Sequence, residues 1–244
     1  MSEASGTAPA TAPRLLPDDE LERSTVVANN TMNRERGLSG VNSYARELGF
    51  DPVGDVLGRS ASPSWLDLCS GEGRALREAA ARLPATAVLT GVDLVGPLVP
   101  APAPPGVEFV TASAAEWTPR RSYDLITCVH GLHYVGDRLG LLCRAASWLG
   151  PPGLLVAHLD PESIRRGDGA PAGRPVLAAL RAAGFTYDSR RHLLTLRGPR
   201  TVRLPFRYLG ADPAAGPNWT GQPAVASYYR AAPRGPLGSA DRPG

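Results

Sequence analysis

The sequence predicts a doubly wound α/β fold: one mostly parallel, seven-stranded sheet with helices on both faces, closed by a terminal antiparallel hairpin. Three observations predict it. From Trp65 onward, short apolar runs alternate with helix-length segments. A glycine-rich turn joins the first run to the first of those helices. Beyond Arg190 the alternation gives way to two period-2 arms on either side of Gly198-Pro199.

Taken in order, Trp65-Leu66-Asp67-Leu68 reads as a short buried strand, and Arg74 to Leu83 as a helix stopped by Pro84. Ala87 to Val92 reads as the second strand, with Asp93 at its end, and Val107 to Thr111 as the third. Tyr123 to Val129 is the fourth, followed by a helix from Arg138 to Leu149. Gly153 to His158 is the fifth, and Val176 to Ala183 is a helix ended by Gly184. The closing arms are Arg190 to Arg197 and Thr201 to Tyr208; Pro205 makes the second an edge or bulged strand. Ahead of the sheet, Ser39 is placed to cap a helix running to Leu48, with Gly49 as its stop. The expected organisation is a disordered tail over 1–20, a helical lid over 21–60, one catalytic domain over 61–230 and a second tail over 231–244.

Composition narrows the function. The chain has 244 residues, 43% hydrophobic and 20% charged, which suits a globular α/β protein and excludes collagen, coiled coil and wholesale disorder. No apolar run is long enough to span a bilayer, the first twenty residues carry no hydrophobic core of a secretion signal, and three cysteines are too few for a disulfide framework, so a cytoplasmic protein without membrane contact is expected. All 26 basic residues are arginine, and the net charge of +3 comes from interspersed residues, a weak footprint for nucleic acid.

The turn Asp67-Leu68-Cys69-Ser70-Gly71-Glu72-Gly73 carries the chemistry. Its glycines let a ligand approach the backbone, and the helix after it presents free N–H groups. Asp93, ending the next strand 20 residues past Gly73, is placed to hydrogen-bond a ribose diol. A dinucleotide turn needs a small residue where Leu76 stands, and Asp67 would repel a pyrophosphate. A nucleoside carrying cationic groups suits both acids better.

On these residues the segment from Trp65 to Leu159 resembles the class I S-adenosylmethionine-dependent methyltransferases. Their first motif, D/E-x-G-x-G-x-G, is matched by Asp67, Gly71 and Gly73, with Cys69 in place of the first glycine. The resemblance implies S-adenosyl-L-methionine as cofactor and a Rossmann-like methyltransferase fold. It gives Asp93 to the ribose hydroxyls, counts its neighbour Leu94 among the cofactor-binding residues, and gives Ser113-Ala114, where the family has Asp-Ala, to the adenine. Tyr123-Asp124-Leu125-Ile126 and Leu132-His133-Tyr134-Val135 match the fourth strand and its continuation, and the terminal hairpin resembles the family's antiparallel seventh strand.

Acceptor chemistry points to histidine. His130 and His133 follow the fourth strand and are the catalytic candidates, His130 as base or positioning group; His158, near the end of the fifth, is a candidate for the acceptor wall, and His192 is expected to be structural. Four of the five asparagines (Asn29, Asn30, Asn33 and Asn42) lie in the lid, where Asn42 and Tyr44 are candidates to contact cofactor or acceptor. Pro217-Asn218-Trp219-Thr220-Gly221 either walls the acceptor pocket or covers the hairpin. The cysteines have no metal-ligand spacing, and no metal is expected. The expected activity is methylation of O or N on a small-molecule acceptor in bacterial specialised metabolism, by a monomer or homodimer. Alternatives are an RNA methyltransferase using Arg190, Arg191, Arg197, Arg200 and Arg203, an NAD(P)-dependent oxidoreductase, and a cofactor-binding protein without turnover.

Overall fold

The structure, a computed structural model, describes residues 14–28, 35–96 and 102–232. In chain order its elements are α1 (Asp18–Glu22), α2 (Thr25–Ala28), α3 (Tyr44–Leu48), α4 (Pro52–Arg59), β1 (Ser64–Leu68), α5 (Arg74–Ala80), β2 (Val88–Asp93), β3 (Val107–Thr111), β4 (Tyr123–Cys128), α6 (Arg138–Ser147), β5 (Leu149–His158), β6 (Ile164–Arg166), α7 (Gly173–Ala182), β7 (Thr186–Asp188), β8 (Leu193–Arg197), β9 (Phe206–Asp212) and β10 (Ala226–Ala231). No helix among the described residues is long and apolar enough to cross a membrane.

The main sheet has seven strands in the order β3-β2-β1-β4-β5-β8-β7. The first five are parallel; β8 runs antiparallel to both β5 and β7. Period 2 sorts the strand residues onto two faces. Trp65 joins Leu125 and Leu89 in a layer with residues of α3, α4 and α5, whereas Leu66, Leu68 and Ile126 pack with α6 and α7. Both faces are therefore covered, as a buried parallel sheet requires.

The closing hairpin differs from the sequence expectation. It is built from β7 and β8, not from the arms flanking Gly198-Pro199. Residues 201–205 form no strand, and the run from Phe206 pairs with β10 in a second sheet ordered β6-β10-β9. Pro205 carries no N–H, so the ladder starts only at Phe206. The expected tail over 1–20 also fails for its last residues: Leu16 and Ala211 exchange two backbone hydrogen bonds at 2.8 and 3.0 Å, and α1 buries Leu21 against Ala211 and Val225. At the far end β10 continues to Ala231. Residues 1–13, the lid asparagines Asn29, Asn30 and Asn33, and residues 233–244 lie outside the described residues.

In the lid, α3 begins at Tyr44 rather than near Ser39. Its cap is Ser43, whose hydroxyl accepts from Arg46 N–H at 3.4 Å, and Gly49 closes it with φ +79°, as its place in the sequence predicts.

Candidate active site

The strand ends align where the turn leaves β1. Leu68 pairs with Val92 and Asp93 with Thr111, so the carboxyl ends of β1, β2 and β3 lie side by side. Ser70 N–H donates to Val92 O at 3.1 Å, and Gly71 N–H donates to Asp93 Oδ2 at 2.8 Å, folding the turn against the end of β2. Asp93 Oδ1 accepts from Val95 N–H at 3.0 Å. Cys69, Gly71 and Gly73 all have positive φ (57°, 60° and 68°). The missing first glycine is therefore a cysteine held in the left-handed region, where an L residue costs about 1–2 kcal/mol. Gly73 is needed for a second reason: a Cβ there would stand 2.0 Å from the Phe109 ring.

This turn floors a cleft that holds about 780 Å³ of space, open solvent included. Cys69, Gly71, Asp93, Leu94, Ala114 and His130 of the sequence candidates line it, as do Asp18, Leu21 and Glu22 from α1. Among the described residues its lining holds three carboxylates, Asp18, Glu22 and Asp93, and no arginine.

Other candidates fall elsewhere. Asp67 is fully buried and faces the α3 layer, pairing in register with Gly91 on one side and Thr127 on the other. It accepts hydrogen bonds from Tyr44 Oη and Thr127 Oγ1, each at 2.6 Å, and burial pushes its carboxyl up to about 7. Tyr44 is thus a buried partner of Asp67, and Asn42 is exposed and accepts from Arg36; neither lines the cleft. Ser113 hydrogen-bonds Glu22.

The acceptor candidates converge at the ends of β4 and β5. His130, with φ +58°, and His158 stack with ring centroids 4.1 Å apart. Glu47, from α3, reaches both: its Oε2 lies 3.0 Å from His130 Nε2 and 3.6 Å from His158 Nε2. Its other oxygen accepts from Arg36 Nη1 at 2.7 Å. The hydrogen bond to His130, opposed by burial and reinforced by the cationic neighbours, holds the Glu47 carboxyl down at about 2. Burial and then the neighbouring His130 push His158 down to about 3, so it is neutral near pH 7.

Glu47, His130 and His158 bring three potential metal-ligand atoms within 4.8 Å of one another, a grouping the sequence spacing does not predict. The hydrogen bonds favour another use. His130 N–H donates to His158 Nδ1 at 3.3 Å, which puts the proton of neutral His158 on Nε2, toward Glu47. A metal on that Nε2 would need the proton on Nδ1, against the amide. The group fits a carboxylate orienting two imidazoles better than a metal centre.

Trp219 completes this end. His192 stacks on it at 4.1 Å and 8°, His133 meets it edge-on at 4.5 Å, and the His130 and His158 rings lie 5.8 and 5.9 Å away. All four histidines of the chain therefore surround one indole. Val225 N–H donates to His133 O at 2.9 Å and Arg138 Nη2 to Val225 O at 2.8 Å, anchoring the chain just after the Trp219 loop. Asn218 Oδ1 accepts from Thr220 N–H at 2.8 Å and shapes the turn. His133 is fully buried, neither ring nitrogen has a hydrogen-bond partner, and burial holds its pKa well below the usual range. Sequence reasoning missed Glu47 and Glu22 and took His192 as structural; no local motif marks any of them, because their partners are more than 25 residues away.

The sheet order and the cleft at its carboxyl edge define a doubly wound α/β protein with a ligand site at the strand ends. A family profile described as a methyltransferase domain matches residues 41–197. The chain belongs to that family, and its seven-stranded order, with an antiparallel strand between the fifth and the last, is the class I methyltransferase fold. Among solved structures, the plantazolicin methyltransferase BpumL in complex with SAH is 20% identical over 39% of this chain and 38% of its own, with a TM-score of 0.34. A SAM-bound amino pentose methyltransferase from Micromonospora echinaspora, involved in calicheamicin biosynthesis, is 23% identical over 46% of this chain and 52% of its own, TM-score 0.34. The phosphoethanolamine N-methyltransferase 2 of Haemonchus contortus is 19% identical over 57% and 34%, TM-score 0.40. The chain thus spans about a third to a half of the length of these proteins. No curated protein matches the sequence.

Proposed function

We propose that the protein transfers a methyl group from S-adenosylmethionine to an oxygen or nitrogen of a small-molecule acceptor. The observation that carries this reading is the charge of the cleft: among the described residues, three carboxylates and no arginine line it around a glycine turn with Asp93 at its edge. Such a lining repels a pyrophosphate and favours a nucleoside bearing sulfonium and ammonium groups. Family membership supports the same reaction. When bound, the cofactor supplies an activated methyl group.

The chain's own residues do the rest. Asp93, at the end of β2 and on the cleft lining, is the acid that takes the ribose hydroxyls, and the turn over residues 69–73 gives the ligand backbone rather than side chains to lie against. His130, on the cleft wall, takes the acceptor's proton as the new bond forms, and Glu47 orients that ring and stabilises the imidazolium. Trp219 and His133 bound the acceptor side. A place in specialised metabolism of a bacterium, in the cytoplasm, fits the arginine-only, Ala/Gly/Pro-rich composition and belongs to the same proposal.

Calorimetric titration with S-adenosylhomocysteine, NAD⁺ and NADPH tests the reading. Micromolar binding of the first alone is expected; binding of a nicotinamide dinucleotide instead overturns it.

A further inference from the structure

Besides Asp93, the cleft is lined by the apolar residues Leu94, Val95, Ala114, Ala115 and Val129, together with Leu21 of α1. Apolar walls of this kind suit the faces of a flat ring, and a ribose held at Asp93 directs its base into them. Of the charged residues that line the cleft, Glu22 is the one hydrogen-bonded to residues 113–115, while Arg144 Nη2, outside the lining, donates to Ala114 O at 3.3 Å. The orientation of Glu22 is fixed from both sides. Ser113 Oγ already accepts from Ala115 N–H at 3.1 Å, so its own proton goes to Glu22 Oε1. The helix that carries Glu22 is anchored by fully buried Leu21 and by the paired hydrogen bonds of Leu16 with Ala211. Asp18, one turn earlier, is engaged by the Tyr208 hydroxyl at 2.8 Å.

We infer that Glu22 reads the edge of the base: steadied by Ser113, its carboxylate accepts the exocyclic amine of a 6-aminopurine and rejects a 6-oxopurine. An amine offers the carboxylate a proton; a carbonyl turns lone pairs against lone pairs. Glu22 lies outside the matched residues 41–197, so this discrimination is supplied by the chain's own N-terminal arm. The inference rests on the cofactor reading above. It explains what the serine at position 113 does: it positions a carboxylate brought from 91 residues away.

The test is binding of S-adenosylhomocysteine against S-inosylhomocysteine, measured calorimetrically on the full chain and on Glu22→Gln, with Glu20→Gln on the exposed side of α1 as control. The unaltered protein is expected to prefer the adenosyl compound by roughly 10- to 100-fold, the loss that follows from one charged hydrogen bond. Glu22→Gln, which can donate as well as accept, should bring that ratio to within about 3-fold while Glu20→Gln leaves it unchanged. Ser113→Ala, which keeps the carboxylate and frees its orientation, should lower the ratio by less. A Glu22→Gln protein with its thermal transition intact and the original ratio overturns the inference. A full chain that binds neither compound overturns the cofactor reading itself, and a ratio near one in the unaltered protein overturns the inference alone.

Discussion

The two ends of the site are built differently. The cofactor end is made by one contiguous turn and the acid that follows it, Cys69 to Gly73 and Asp93, joined mainly by backbone hydrogen bonds. The end proposed for the acceptor is assembled from Glu47, His130, His133, His158, His192 and Trp219, which come from five segments of the chain and meet through side chains. Backbone geometry recurs wherever the fold recurs, so the first end constrains the ligand's class. Side chains gathered from remote loops can change without disturbing the sheet, so in the proposed function the second end sets which acceptor is used.

If that division holds, the largest single effect belongs to the acceptor end. His130→Ala should lower kcat by roughly 10²- to 10⁴-fold with an acceptor the unaltered enzyme turns over, while S-adenosylhomocysteine affinity stays within about 3-fold. Glu47→Gln should lower kcat less and shift the pH profile, because the ring remains but its carboxylate partner is neutral. Steady-state kinetics across pH separates the two; a kcat unchanged in His130→Ala removes that residue from the chemistry.

The ends also respond oppositely to pH. Beneath the turn, Asp67 titrates near 7 in the folded protein, above its ordinary 3.8, so the stability it contributes is full below about pH 3.8 and is lost as pH rises through 7. At the acceptor end, His158 at about 3 and Glu47 at about 2 lie below their ordinary 6.5 and 4.5. Their contribution is present at neutral pH and is lost on acidification, His158's from about pH 6.5 and Glu47's from about 4.5 downward. Asp67→Asn should therefore remove the decline between about pH 3.8 and 7 alone. Urea unfolding from pH 4 to 8 would show it as a variant whose stability relative to the unaltered protein rises up to about pH 7 and then levels off; a constant difference contradicts the assignment.

The smallest effect is expected at Cys69. Replacing it with glycine relieves a left-handed residue and loosens the unfolded chain, two terms of about 1 kcal/mol with opposite sign, so stability should change by less than about 1 kcal/mol. Cys69→Val, β-branched at φ +57°, should destabilise clearly more in the same denaturation experiment.

The contrast also explains what was legible in the sequence. The five parallel strands, the glycine turn and Asp93 are local patterns, and the structure reproduces their order, with Val107–Thr111 at the expected bounds. Asp67 belongs to the same motif, yet strand alternation turns it away from the cleft toward Tyr44, which a motif read along the chain does not reveal. The hairpin was misplaced because Thr201 to Tyr208 alternates like a strand while its partner, β10, lies beyond the next loop. Glu22 and Glu47 carry no signal at all in sequence: each sits on a five-residue helix and gains its meaning from a contact more than 80 residues away.

The most direct test of the division is calorimetric titration of S-adenosylhomocysteine into Asp93→Ala and into a Glu47→Gln, His130→Ala double variant. The cofactor end standing by itself predicts roughly 10- to 150-fold weaker binding in the first, for about 1.5–3 kcal/mol of lost charged hydrogen bonding, and affinity within about 3-fold of the unaltered protein in the second. A double variant weakened as much as Asp93→Ala would contradict it, and would make the two ends one cooperative site.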